Sequence, residues 1–488
     1  MSNKLLSTIA FMGLTVASMT SCDSLWNSFT KPDPDDCASE GNVCSDSGDI
    51  RVDSIIPRQM PISGGLPISI NGQGFLPKTD VLIGTSPLSN VKITNDVISG
   101  TVPRAQARCG LFDVTLTRSD GKQAVVPNGF TYTLDPYISK PSVGIYSHTF
   151  KTTNIIVDDF NGDQKPDIAM SLNDRFGVIL SAGTTVSKTI SPTLTQSSFI
   201  QSVHFNSRLA VRTTAIATLN NTRNTIGVFS YNPSKQLFEF INTISFLKEV
   251  RIMLSGDLDQ NGNDGILVVT NNENDATKDN VHLIGFVQAA DTYQSSPAIF
   301  QAVNKIDSMI LANLSNDTYP DIVSSAAGRV VVLKRNGTEG AEIVRYPASL
   351  FSLTSGDWNG DGKIDIAGLD LMNQKVVLVL NNGSQPASVL TASAGFLSSS
   401  QTILVAGDLN CDQRADIAVM QTANTIDTPL KIISLSPLGQ VEVKDSAQAL
   451  PAGPMVIGDF NQDGNPDLII GRNKAVGTDT LFVAGSVY

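Results

Sequence analysis

One nine-residue phrase recurs along the C-terminal part of this chain, and its period limits the fold more than any other feature. The clearest copies are Asp159-Phe-Asn-Gly-Asp-Gln-Lys-Pro-Asp167, Asp357-Trp-Asn-Gly-Asp-Gly-Lys-Ile-Asp365, Asp408-Leu-Asn-Cys-Asp-Gln-Arg-Ala-Asp416 and Asp459-Phe-Asn-Gln-Asp-Gly-Asn-Pro-Asp467. Two copies depart from it, at Asp257 to Gly265 and Asn313 to Asp321, and a worn copy is read at Thr218-Leu-Asn-Asn-Thr-Arg-Asn224. The six steps from position 159 to position 459 cover 300 residues, an average of 50. That is the length of a four-stranded propeller blade, and apolar runs such as Ile417-Ala-Val-Met420 follow the phrases as strands would. Seven copies predict a seven-bladed β-propeller over residues 136–488. Pairing between the two ends of this region is expected to close the ring, because an open ring exposes sheet edges.

Within the phrase, acidic or amide side chains stand at positions 1, 3, 5 and 9, the way the first part of an EF-hand loop offers oxygen to calcium. The seventh residue adds a backbone carbonyl. The expected ligand sets are Asp159, Asn161, Asp163 and Asp167 with Lys165; Asp357, Asn359, Asp361 and Asp365 with Lys363; Asp408, Asn410, Asp412 and Asp416 with Arg414; and Asp459, Asn461, Asp463 and Asp467 with Asn465. The Lys, Arg and Asn at position 7 are expected to point their side chains away. Several Ca2+ ions, four or more, would then be bound, because carboxylates crowded within nine residues repel one another without a cation. The copy at 257 has Asp257, Asp259 and Asn261 but ends in Gly265 with Asp264 one place early, and the copy at 313, with Asn313, Ser315, Asp317 and Asp321, carries little charge; both are expected to bind weakly or not at all, and the copy at 218 to be metal-free. Gln164 and Gln413 stand where an EF-hand has Gly, which predicts a strained turn. Asp and Asn also build side-chain turns on their own backbone, so the phrase as a mere hairpin device is the competing reading. The phrases resemble the FG-GAP/VCBS repeats of integrin-like propellers, which implies structural calcium.

Ahead of this region, residues 51–135 carry short alternating strands: Leu66 to Ile70, Val81 to Ile83, Val91 to Ile93, Val97 to Val102, Asp113 to Thr117 and Phe130 to Tyr132. Strands this close, punctuated by Gly and Pro, predict a small β-sandwich. Pro57, Ser63-Gly64-Gly65, Ile68-Ser-Ile70-Asn-Gly72-Gln-Gly74-Phe75, Ile83-Gly84, Val102-Pro103 and Gly129-Phe130-Thr131-Tyr132 resemble the IPT/TIG family of immunoglobulin-like domains. The resemblance implies a spacer or binding module without a catalytic centre. The fold class expected for the whole chain is therefore all-β, a small Ig-like sandwich followed by the propeller.

The first residues read as an export signal: Lys4, an apolar stretch from Leu5 to Val16, and small residues before Cys22, too short to span a bilayer. Met19-Thr-Ser-Cys22 resembles a bacterial lipobox, with Met19 in place of the usual Leu. This implies a signal peptide over 1–21, lipidation of Cys22 and anchorage in the cell envelope, at the outer membrane or cell surface. Asp23 resembles an inner-membrane retention signal of some enteric bacteria, so the leaflet stays open. Residues 22–50, rich in Asp, Pro, Ser and Gly, read as a flexible stalk. Cys37 and Cys44 suit a local disulfide in an exported segment. Cys109 and Cys411, in different domains, are expected to be separate buried thiols.

A net charge of -12 and a pI near 4.7 argue against a nucleic-acid partner, since phosphate backbones are bound by clustered Lys and Arg. Only His148, His204 and His282 are available as imidazole bases, and none lies in a protease or triad motif. The expected function is non-enzymatic: a calcium-binding surface lipoprotein that adheres to an extracellular or envelope protein. Alternatives are a lectin-like glycan binder, a purely structural envelope protein and a polysaccharide-degrading enzyme. Only two tryptophans, Trp26 and Trp358, are present, and no ring of aromatics repeats from blade to blade as glycan binding predicts.

Overall fold

The computed structural model describes residues 48–485 except 107, 135–142, 149–151, 173–174, 182–185, 191–196, 208–211, 302–303, 316–318, 334–338, 346–348, 382–387, 394–401, 422–427, 437, 461, 463–464 and 473–478. Cys22, Cys37, Cys44, Asn461 and Asp463 therefore lie outside the described residues. The chain divides into Met1–Asp49 and a compact unit Ile50–Tyr488 that contains every element described below.

The N-terminal part of that unit is a two-sheet sandwich. Arg51–Ile56, Pro67–Gln73, Val97–Thr101 and Ser89–Ile93 form one sheet in that order, and Gln59–Pro61, Gln123–Thr133, Gly110–Thr117, Asp80–Ile83 and Ser86–Pro87 form the other. Alternation along Pro67–Gln73 turns Ile68 and Ile70 inward, as a period of two residues requires for a strand with one buried face. They meet Ile55, Val81, Ile98, Val114, Leu116 and Phe130 in one core. Tyr132 closes it, its hydroxyl donating to the Pro103 carbonyl at 2.7 Å. The sequence reading missed the opening strand Arg51–Ile56 and the short Gln59–Pro61, the latter pairing parallel to the end of Gln123–Thr133.

From Val143 onward, seven four-stranded antiparallel sheets follow one another among the described residues, and together they make a seven-bladed β-propeller. The innermost strands are Thr152–Asp158, Phe199–Asn206, Val250–Gly256, Ser308–Ala312, Leu350–Gly356, Thr402–Gly407 and Met455–Gly458, numbered here blades 1 to 7. Each touches the next, and the last touches the first. The ring closes because Val143–His148 adds to blade 7 as its outer strand, antiparallel to Asp479–Gly485. The seam blade thereby has four strands like the other six, and the two ends of the region are hydrogen-bonded to each other.

Second strands such as Asp167–Leu172 and Asp365–Asp370 are buried along their whole length. A propeller blade is covered on both faces by its neighbours, so its middle strands read as continuous apolar runs instead of alternating ones. The cores lie between blades: Val203, Ala217 and Val228 of blade 2 pack with Met253 and Val268 of blade 3. In blades 3, 5, 6 and 7 the innermost strand ends in Gly256, Gly356, Gly407 and Gly458. A side chain at Gly356 would meet the Ala415 Cβ of blade 6 at 2.5 Å, and one at Gly256 would meet Leu311 of blade 4 at the same distance. Close approach of neighbouring blades therefore dictates glycine there.

Two expectations are corrected. The copy read at Thr218 lies in the turn between Arg212–Leu219 and Thr225–Asn232, the second and third strands of blade 2, and not at the first hairpin. Its Asn220 side chain accepts the backbone N–H groups of Asn224 and Thr225, an Asx turn that resembles the phrase without being its counterpart. Cys109 and Cys411 are not separate thiols but a disulfide across 302 residues, with Cα atoms 5.7 Å apart. The folded sandwich lies against blade 6, so cysteines remote in sequence become neighbours.

Candidate metal-binding loops

All six other copies occupy the same place, the turn from the innermost to the second strand of a blade. The innermost strands run in one direction, so these hairpins open on a single face of the propeller. The local fold follows from the side chains at positions 1, 3, 5 and 9. In blade 1, Asp159 Oδ1 accepts the Gly162 and Asp163 N–H groups at 2.7 and 3.1 Å, and its Oδ2 accepts that of Gln164 at 2.7 Å. Asn161 Oδ1 accepts the N–H of Asp163, and Asp163 Oδ1 that of Lys165. Blade 5 repeats this with Asp357, Asn359 and Asp361, and blade 6 with Asp408, Asn410 and Asp412. Each loop is a run of Asx turns winding the backbone around its own acidic oxygens.

The ninth residue does a different job. Asp167, Asp365, Asp416 and Asp467 are buried, and Oδ2 of each accepts the N–H of the second residue, Phe160, Trp358, Leu409 or Phe460, at 3.0 to 3.1 Å. Those second residues are themselves buried and plug the gap between blades. Sequence reading overlooked this pairing, although a large apolar residue at position 2 of every complete copy is its visible signal. Burial pushes the Asp365 carboxyl up to about 6, against the N–H groups that Asn381 and Trp358 donate to it and with a smaller push from the charges of Asp361 and Asp357. Burial also raises Asp408.

Positions 4 and 6 turn through the left-handed region. Gly162 and Gly360 occupy it at position 4, as do the non-glycines Gln260, Cys411 and Gln462; Gln164 and Gln413 occupy it at position 6 with φ of 65° and 69°. The strain expected at the two glutamines is thus present in the backbone. Position 7 behaves as expected only in part. The Arg414 side chain lies over Gly360 of the neighbouring loop, but Asn465 is buried, and its Oδ1 accepts the Cys109 N–H at 2.8 Å.

The incomplete copies depart as their residues predict. In blade 3 Gly265 supplies no ninth carboxylate, and Asp264 turns instead to His204, with Oδ2 2.8 Å from Nδ1. In blade 4 Asp321 still accepts the N–H groups of Leu314 and Ser315.

The family model for the IPT/TIG domain matches residues 51–133, and that for the FG-GAP-like repeat matches residues 357–419, which span the loops of blades 5 and 6. Residues 51–133 thus match an IPT/TIG domain, and residues 357–419 of the propeller match an FG-GAP-like repeat. None of the curated proteins compared with it matches. Among solved structures it is similar to an auxiliary nutrient binding protein from Bacteroides ovatus, at 13% identity over 90% of this chain and 98% of that one, with a TM-score of 0.36. It is similar also to an Agrocybe aegerita lectin described as recognising non-reducing terminal N-acetylglucosamine, at 15% identity over 77% and 91%, TM-score 0.45. A third is the Cps50 (Swd1) β-propeller domain of Myceliophteria thermophila, at 10% identity over 70% and 99%, TM-score 0.43.

On the FG-GAP face the four complete loops fall in blades 5, 6, 7 and 1, which are consecutive around the closed ring. They also touch. Ala415 N–H donates to the Asp357 carbonyl at 2.9 Å, and the Gln462 amide donates to the Gln164 carbonyl at 3.1 Å. The incomplete loops of blades 3 and 4 lie on the other arc, next to blade 2, where His204 stands between Asp158 and Asp264 at 3.0 and 2.8 Å.

Proposed function

We propose that this protein is a non-enzymatic, calcium-binding lipoprotein of the bacterial cell envelope, whose TIG–propeller body binds an extracellular or envelope protein. The observation that carries the reading is the contiguous arc of four oxygen-rich loops on one face. Their donor set of carboxylates, amides and carbonyls is that of a hard divalent cation. The raised Asp365 carboxyl marks a place where negative charge is crowded and poorly solvated, which a bound cation would relieve. Asp159, Asn161, Asp163, Asp167 and the Lys165 carbonyl would hold the ion in blade 1, with the equivalent residues in blades 5, 6 and 7. The ion would supply a charge that fixes each loop and stiffens the face, and the protein partner would be held by loops on that stiffened scaffold.

A second reading draws on the hydrogen bonds. Among the described residues no three His, Cys, Asp or Glu side chains converge as ligands of one ion, and the loop oxygens already accept backbone N–H groups. On this reading the phrases are turn devices and the propeller is metal-free. Isothermal titration with calcium after EGTA treatment separates the two. Binding heat that is lost stepwise in Asp163→Ala, Asp361→Ala and Asp412→Ala supports calcium; no heat in the parent protein supports the turn device.

Histidine surroundings favour a non-catalytic role. His204 is held between two carboxylates, and His282 lies 3.1 Å from the Thr270 hydroxyl inside blade 3. Anchorage rests on the lipobox resemblance at Cys22. Incorporation of labelled palmitate, abolished by Cys22→Ala, is the expected outcome; labelling that survives the substitution overturns it.

A further inference from the structure

The TIG domain is seated on two of the four complete loops. Cys411, the fourth residue of the blade 6 loop, is disulfide-bonded to Cys109 of the TIG domain. Asn465 of the blade 7 loop accepts the Cys109 backbone N–H at 2.8 Å, and its Oδ1 lies 2.9 Å from Cys109 Sγ. Leu134, at the exit of the TIG domain, donates its N–H to the carbonyl of Asn410 in the blade 6 loop, also at 2.8 Å. Cys109, Leu134 and Cys411 form a small buried cluster backed by Ile62.

The turn of the blade 6 loop sets where the Cys411 sulfur lies. Cys411 adopts φ of 64°, the conformation that Gly162 and Gly360 take at the same position in blades 1 and 5 and that Gln260 and Gln462 take in blades 3 and 7. A residue with a Cβ is disfavoured in that region. The blade 6 loop nevertheless carries one, and its sulfur is spent on the neighbouring domain. Cys411 stands between Asp408 and Asp412 in sequence, next to the latter, and Asn465 between Asp463 and Asp467. Whatever holds Cys109 in place therefore also holds Cys411 and Asn465.

We propose that the Cys109–Cys411 disulfide is a latch coupling the seat of the TIG domain to the metal affinity of the blade 6 and blade 7 loops. This rests on the reading that the complete loops take calcium. A dithiol reductant opens the latch by thiolate attack on one sulfur and resolution of the mixed disulfide. Two electrons and two protons pass to the protein, which is left with two thiols, while the reductant becomes a cyclic disulfide. With the bond open, both loops lose an anchor and must be ordered by the ion itself, so their affinity falls. Coupling of this kind is reciprocal, so calcium in turn strengthens the seat.

The full chain and a Cys109→Ser/Cys411→Ser variant, which leaves Cys37 and Cys44 untouched, are titrated calorimetrically with calcium and compared by small-angle scattering. The expected result is that two of four sites weaken by about fivefold or more, within the usual range of coupling. The other two should be unchanged, and the variant should be more extended. Equal affinities at every site in both proteins overturn the coupling. If neither protein takes up calcium, the calcium reading itself has failed, and the coupling falls with it. Scattering then tests the seat alone: extension of the variant shows that the disulfide holds the TIG domain, and an unchanged profile shows that it does not.

Discussion

His204, on the innermost strand of blade 2, stands between the carboxylates of Asp158 and Asp264 at 3.0 and 2.8 Å. In blades 3, 5, 6 and 7 the innermost strand ends in glycine, but in blade 1 it ends in Asp158, whose carboxylate reaches across to His204. Hydrogen bonds to Asp158 and then Asp264 raise the imidazole to about 9 against the opposing effect of burial. The sign follows: the charged form is favoured by folding, so this contribution is fully present below the unfolded value of about 6.5 and is lost as pH rises through about 9. His204→Gln is expected to lower the melting temperature at pH 6 and to narrow its gap to the parent at pH 9.5; a constant gap contradicts the assignment. The raised Asp365 predicts the opposite kind of pH effect. A proton competes with calcium there, so calcium affinity is expected to fall as pH drops through about 6, read by titration at pH 5 and pH 7.5. Backbone strain is a third residue-scale quantity. Gln413→Gly relieves a left-handed non-glycine and is expected to stabilise the protein by ~0.5–1 kcal/mol in denaturant unfolding.

At the scale of the element, the nine-residue phrase made most hairpins legible because every complete copy joins two strands of the same rank in a blade. Legibility failed where side-chain chemistry was shared with a different turn. Asn220 caps a tight turn between the second and third strands with the hydrogen bonds that Asp159 makes between the first and second, so the worn copy was placed one hairpin too late. The glycine before four of the six phrases was also visible but unread, since its reason lies in the neighbouring blade and not in its own loop. Gly356→Val would place a side chain against Ala415, and is expected to cost about 1–3 kcal/mol by overpacking. Equal stability of the variant and the parent would refute the close-approach argument.

For the whole molecule, a 50-residue period sufficed to predict blade number and ring closure, because each sheet can bury its two faces only against copies of itself. What no local pattern could disclose is the meeting of Cys109 with Cys411, 302 residues apart, which exists only once the ring has closed and the TIG domain has been brought against it. The same closure places the four complete loops side by side, although blade 1 is separated from blade 5 by nearly 200 residues of sequence (159 to 357). Calcium held along this arc is the property on which the proposed function depends. Thermal unfolding of the protein in EGTA and then in millimolar calcium tests it most directly. A melting temperature that rises with calcium, and rises less when Asp163, Asp361, Asp412 and Asp463 are changed to Ala, is the predicted result; melting curves that coincide with and without calcium would contradict it.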